Sequence, residues 1–221
     1  MIRKVSFVLA AALLGSFVSA GAQQTAPPSF LSKQLDRMDL GIGGAGLFTP
    51  TVSGPVLPTA PVNTGTVISQ NASNTVGVLV NLRYIVKPYA GLEFNYSYAR
   101  YTENFSYPPP TLGVQTQANE YTFGYLVTPP HTFFGLKPFA SAGLGTIAFK
   151  PTPHGGQSLD KQARMAYYYS AGVQTDISPH FGIRAAFREV FFLAPDFGQN
   201  YFTILKHTST YEPTAGFYLR F

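Results

Sequence analysis

From about Asp36 onward the sequence repeats one pattern: stretches of roughly ten residues in which apolar and polar side chains alternate, divided by turn-rich segments that are long and short by turns. Alternation with a period of two marks a strand whose two faces meet different surroundings. In 75–86, Val76, Val78, Val80, Leu82, Tyr84 and Val86 share one face, and Gly77, Asn81 and Arg83 share the other. In 90–101, Leu92, Phe94, Tyr96 and Tyr98 oppose Gly91, Glu93, Asn95 and Ser97. Eight strands are predicted, at 39–48, 75–86, 90–101, 119–128, 138–149, 163–175, 181–191 and 208–221. Long connections are expected at 50–74, 102–118, 150–162 and 192–207, and shorter ones at 87–89, 129–137 and 176–180.

Composition says which solvent meets the apolar face. Only 11% of the residues are charged, where a soluble domain carries roughly a quarter. Yet beyond the amino terminus no apolar run approaches the ~20 residues that a spanning helix needs. A helical membrane protein is excluded. A soluble, lipocalin-like barrel would put far more charge on its polar face. The expectation is an all-β fold, an eight-stranded antiparallel up-and-down transmembrane β-barrel with long loops outside and short turns in the periplasm.

The first residues read as an export signal. Arg3 and Lys4 precede an apolar stretch from Val5 to Val18, and Ala20-Gly21-Ala22 supplies small residues for cleavage. The predicted division is therefore a signal peptide at 1–22, a periplasmic lead-in at 23–36 and a barrel domain at 37–221. Removing Arg3 and Lys4 from the 15 basic residues leaves 13 against 10 acidic ones, too even a balance for nucleic-acid binding. With no Cys there is no disulfide, redox pair, thiolate metal site or Cys nucleophile. The four His residues are too far apart in sequence to pair on a metal, and no GxSxG, phosphate loop or HExxH occurs. No cofactor or metal is expected.

The face opposite the apolar one carries charges of both signs: Arg83, Glu93, Glu120, Arg184, Arg188, Glu212 and Arg220, with Asp39 and Arg164. An eight-stranded barrel is just wide enough for side chains to fill it, so these residues are expected to form an interior salt-bridged network. It is either a static filling or a narrow ion path gated by Arg and Glu rearrangement. The phase of 138–149 stays open, because Phe139, Ser141, Gly143, Gly145, Ile147 and Phe149 compete with Ala140, Ala142, Leu144 and Ala148 for the apolar side.

Two further clusters lie toward the predicted outer strand ends. Arg100, Lys150 and Lys206, with Lys161 and Arg164, sit where cations would meet lipopolysaccharide phosphates. His207 and Ser209 share one face of the last strand, with Glu189 expected nearby on the seventh. A base, a nucleophile and an orienting carboxylate are the parts of an acyl-ester hydrolase. The trio resembles that of the lipid A deacylase barrels, except that here the Glu precedes the His-x-Ser pair.

The last strand puts Ser209, Tyr211, Pro213, Ala215, Phe217, Leu219 and Phe221 on its apolar face and stops on an aromatic residue. Phe217, Leu219 and Phe221 look like the signal read by the outer-membrane barrel assembly machinery. Together with Lys137-Pro138-Phe139-Ala140-Ser141-Ala142-Gly143-Leu144-Gly145, the pattern resembles the small outer-membrane β-barrels typified by the membrane domain of outer membrane protein A. The resemblance implies residence in the cell outer membrane among its lipids and lipopolysaccharide. No periplasmic peptidoglycan-binding domain is expected after Phe221. The function expected is that of a monomeric scaffold, structural or surface-interactive, presenting four extracellular loops to an unidentified ligand. A narrow channel for small solutes or ions, and a lipid A-modifying hydrolase, are the alternatives.

Overall fold

A computed structural model describes residues 30–57, 66–107 and 111–221. The predicted signal peptide lies outside them, and part of the predicted lead-in, Phe30–Leu35, forms the short helix α1. No described helix is long and apolar enough to cross a membrane. The unit beginning at Asp36 contains ten strands: β1 (Met38–Leu47), β2 (Val52–Pro55), β3 (Val67–Ala72), β4 (Thr75–Lys87), β5 (Ala90–Ser106), β6 (Thr111–Val127), β7 (Lys137–Pro151), β8 (Gln162–Ser178), β9 (Phe181–Leu193) and β10 (His207–Arg220).

Eight of these, β1 and β4 to β10, pair antiparallel with their neighbours around a ring, which closes where Asp39 lies opposite Arg220 and Ala45 opposite Thr214. Closure gives every strand two partners, the condition for burying a sheet in hydrocarbon. The other two stand beyond the ring. β3 prolongs the line of β4 past Ser73 and Asn74 and pairs with the far part of β5, Ser69 opposite Ser106 and Ala72 opposite Glu103; β2 pairs with β3 in turn. A one-residue irregularity between Ile85 and Lys87, and another between Asp176 and Ser178, bend the strands into short turns at the opposite end.

Outward positions fall into two zones. On β5 they run Leu92, Phe94, Tyr96 and Tyr98, then Arg100, Thr102, Asn104 and Ser106; on β6 the apolar series Val127, Tyr125, Phe123 and Tyr121 gives way to Asn119, Gln117 and Gln115. Tyr96 and Tyr121 pack together at 5.1 Å between ring centroids on this boundary, where aromatic girdles of membrane barrels lie. β7 settles the open phase: Ala140, Ala142, Leu144, Thr146 and Ala148 face out, and Phe139, Ser141, Ile147 and Phe149 are interior.

The segment expected to be a loop at 102–118 is mostly strand, with β5 and β6 in register up to Ser106 opposite Thr111. Likewise the expected loop at 50–74 contains the β2–β3 hairpin. The period of two continues through both segments, but its polarity is reversed. Tyr101, Glu103 and Phe105 point inward, whereas Thr102, Asn104 and Ser106 point out. Above the girdle the outside is water, so the apolar side chains turn to the inside.

They meet there in one buried core that caps the long-connection end of the barrel. Phe105, Val114, Ile147, Phe149, Val190 and Phe192 from the strands pack with Val56 and Ile68 and with Phe197, Phe202 and Ile204 of the 194–206 connection. Phe105 stacks on Phe202 at 4.0 Å and meets Phe197 edge-on at 6.2 Å. Truncating a buried Phe typically costs about 3–5 kcal/mol. Phe105→Ala is therefore expected to lower stability by about 3 kcal/mol in denaturant unfolding of the micelle-bound chain and to make the peptide bond after Lys206 accessible to trypsin.

Candidate functional site

The lower interior is a connected network. Asp39 accepts from Arg184 Nη2 at 2.9 Å, Asn81 Oδ1 accepts from Nη1 at 2.5 Å, and Gln174 Oε1 accepts from Arg184 Nε and from Arg83 Nη1, both at 3.1 Å. Arg83 Nε donates to Glu93 Oε2 at 2.5 Å. The other Glu93 oxygen accepts from Asn95 at 3.0 Å, Ser141 at 2.9 Å and Tyr168 at 3.2 Å. Above this, Arg188 Nη1 donates to Glu212 at 2.6 Å, Nη2 donates to Glu120, and Thr122 Oγ1 accepts from Nη2 at 3.1 Å.

Aromatic rings insulate the cations. Arg83 lies 4.1 Å from the Phe139 ring centroid, Arg184 4.6 Å from that of Tyr218 and Arg188 4.7 Å from that of Tyr168, within cation–π range. On β1, Gly41 leaves the space Arg184 needs, because a Cβ there would sit 2.4 Å from Asn81 Oδ1 and 3.1 Å from Arg184 Nη1. Six of the seven predicted interior residues belong to this network. Arg220 does not: it lies at the short-turn mouth and donates to Asp176 at 3.2 Å, beside Lys137 and Tyr218, which share the same carboxylate. It is the last position of β10, where the wall ends and water reaches the side chain.

At the other mouth Asp196 clamps the 194–206 connection to β8. Its carboxylate accepts from Gln162, from Arg164 at 2.9 Å, from Thr203 at 2.8 Å and from the Gly198 N–H at 3.1 Å. Burial alone would raise this carboxyl, but the Gln162, Thr203 and Gly198 hydrogen bonds and the Arg164 charge hold it below the usual range. Gln162 Oε1 in turn accepts the Asp196 and Phe197 N–H groups at 3.0 and 3.2 Å. Arg164, expected both among the interior charges and in the cation cluster at the outer strand ends, serves this clamp.

The predicted hydrolase trio is not assembled. Register puts Glu189 opposite Tyr211, and Ser209 opposite Phe191. Glu189 is outward but shielded, and it accepts its hydrogen bond from Tyr169 on β8. His207 lies near the Tyr167 ring, 6.4 Å between centroids. The register is two residues away from the one that would set Ser209 opposite Glu189, and a two-residue offset keeps a side chain on its face but gives it another neighbour.

Of the predicted phosphate-facing cations, Arg100 and Lys150 fall in one cross-strand row, each opposite Gln117 of β6. Lys206 is elsewhere, its stem lying over Gly54 of β2. Phe217, Leu219 and Phe221 are all exposed, and Phe217 stacks on Phe181 at 5.5 Å. Sequence reasoning missed Gln174, Tyr168, Asp176, Asp196, Gln70 and Glu103. The signal for Glu103 was present in the inward phase Tyr101, Glu103, Phe105, once β5 is carried past residue 101. Among the described residues no cluster of His, Asp and Glu is arranged to hold a metal.

Residues 8–205 match the family described as outer membrane protein beta-barrel domain, and the chain belongs to that family. It is an outer-membrane β-barrel of the small, eight-stranded kind. Among solved structures it is similar to the outer membrane protein OprG from Pseudomonas aeruginosa, with a TM-score of 0.62 at 12% identity over 83% of this chain and 95% of that one. Neisserial surface protein A gives a TM-score of 0.54 at 15% identity over 83% and 97%. At these identities the likeness is one of fold. No curated protein matches the sequence.

Removing one partner of a buried ion pair strands the other charge and costs about 3–5 kcal/mol. Arg188→Leu, which leaves Glu120 and Glu212 facing each other, is expected to lose stability on that scale at neutral pH. Adding Glu120→Gln and Glu212→Gln should restore most of it, read from urea midpoints by the heat-modifiable gel shift.

Proposed function

We propose that the chain is a closed membrane scaffold that presents its long-connection end to the exterior and carries no solute through its lumen. The observation that supports this is the filling of the interior. Charged side chains pair across the lower half, and an apolar core closes the long-connection mouth. Two voids against the network have volumes of about 20 Å3 each, room for roughly one water apiece. In barrels of this kind the long connections lie outside and the short turns in the periplasm. A cleaved signal peptide at 1–22 and recognition of Phe217, Leu219 and Phe221 by the assembly machinery are part of the same reading.

The outward row of Arg100 and Lys150, just above the Tyr96 and Tyr121 girdle, then stands at the level of the outer-leaflet headgroups. Phosphate groups of lipopolysaccharide are the partners this row fits, through charge-assisted hydrogen bonds. The loops above it, led by the β2–β3 hairpin, are the surface offered to an external ligand, since loops on a rigid scaffold carry function.

Single-channel recording of the refolded chain in a planar bilayer is expected to show no discrete current steps. Ohmic steps from a gel-shifted, folded barrel would establish the channel reading in its place. By native mass spectrometry, Arg100→Gln and Lys150→Gln should each weaken diphosphorylated lipid A binding about fivefold, the equivalent of ~1 kcal/mol per charge near a surface, and leave dephosphorylated lipid A unaffected. Ser209→Ala is expected to leave lipid A mass in a host membrane unchanged; a mass difference between the two hosts would bring back the hydrolase.

A further inference from the structure

Among the described residues of the capped mouth, Glu103 is a buried carboxyl with no cation beside it. Glu103 stands on the part of β5 that rises past the girdle and Arg100, outside the crossing segment, and is only 3% exposed. Across the ladders it faces Ala72 on β3 and Val114 on β6. A void of about 10 Å3 beside it is lined by Thr49 and Val52 before and on β2, Gln70 on β3, Phe192 on β9, Pro195 of the 194–206 connection and Thr208 on β10, none of them charged. The titratable groups around it are the Tyr101 phenol on its own strand and, deeper, Glu120 and Glu212, both bound by Arg188. Asp196 of the connection is turned to Arg164.

Its hydrogen-bonding neighbour is the side chain of Gln70. Gln70 is itself buried. Its Nε2 donates to the Pro195 carbonyl at 2.9 Å, tying β3 to the connection, while its Oε1 has no partner among the described residues. With no cation near it, the neutral acid is the form that an apolar surround favours. Burial pushes the Glu103 carboxyl up to about 7, against the lowering effect of the Gln70 hydrogen bond.

The connection is also held against its own backbone preference. Phe197 and Leu205 have φ of +51° and +49°, in the left-handed region that costs a non-glycine residue of order 1 kcal/mol or more. Burial of Phe197 in the cap offsets that cost only while the cap is shut.

We propose that Glu103 is a proton-operated latch on this mouth: protonated, it lies uncharged in the cap and the 194–206 connection stays seated; deprotonated, it draws water into the void it shares with Pro195 and releases the connection. The closed form binds the proton more tightly than the open one. Closure is thus strongest below the ordinary carboxyl range, weakens by up to about tenfold in the closing equilibrium per pH unit as pH rises toward 7, and levels off above it. The latch is independent of the scaffold reading. A barrel that conducts would fail the bilayer test and leave this one standing.

Hydrogen exchange of the refolded chain in nanodiscs tests it, with rates converted to protection factors so that the intrinsic pH dependence cancels. Amides of 194–206 are expected to lose protection by up to about tenfold per unit between pH 5 and 7 and to level off above that, while those of the β7–β8 ladder hold. Glu103→Gln should keep the connection protected throughout. Glu103→Leu, which extends the apolar core across the site, should do the same if the amide variant folds poorly. Protection that is flat with pH in the unaltered chain, or a decline that persists in both variants, would overturn the latch.

Discussion

Hydrocarbon offers the backbone no hydrogen-bonding partner, and the rest of this structure follows from that. Each of eight strands must satisfy its N–H and C=O groups on two neighbours, so the sheet has to close on itself, and β10 must return to β1. Closure at eight strands fixes a bore that side chains can fill. What fills it is then a separate problem. The lower half solves it with paired charges backed by aromatic rings, and the long-connection mouth solves it with an apolar core.

The two solutions change over at the level where the outside changes from lipid to water. Below Tyr98 and Tyr121 the strands are apolar outward and polar inward; above them, polar outward and apolar inward. One strand, β5, does both along its length. Its lower inward residues Glu93, Asn95 and Ser97 serve the network, and its upper ones, Tyr101 and Phe105, serve the cap. The cap has the make-up of a small soluble core, assembled from strand ends and connections. Glu103 is the exception within it, and its burial with no cation beside it among the described residues is what makes it a candidate for control.

The fold class, the phase of most strands and six of the seven interior charges were legible in the sequence, because alternation in lipid leaves no ambiguity about which side is which. Strand length was not. The expected loop at 102–118 looked like one because the sign of the alternation reverses at Arg100, and a pattern scored for apolar-out stops there. The β2–β3 hairpin was hidden for the same reason. Arg164 and Arg220 carry the right phase for the interior network but lie at the two ends of the wall, where their partners are Asp196 and Asp176.

The sequence by itself determined that this chain crosses a membrane as a closed antiparallel barrel with a charged interior. A period of two with so few charges admits no other solvent for the apolar face. Only the tertiary structure decided the partners. Whether Arg188 reaches Glu120 and Glu212, whether Ser209 meets Glu189 or Phe191, and whether Glu103 finds a cation or an amide all depend on register and on the stagger of strands far apart in the chain. A register shift of two residues keeps every side chain on its face, so the alternation in the sequence is the same, yet it changes every neighbour across the strands.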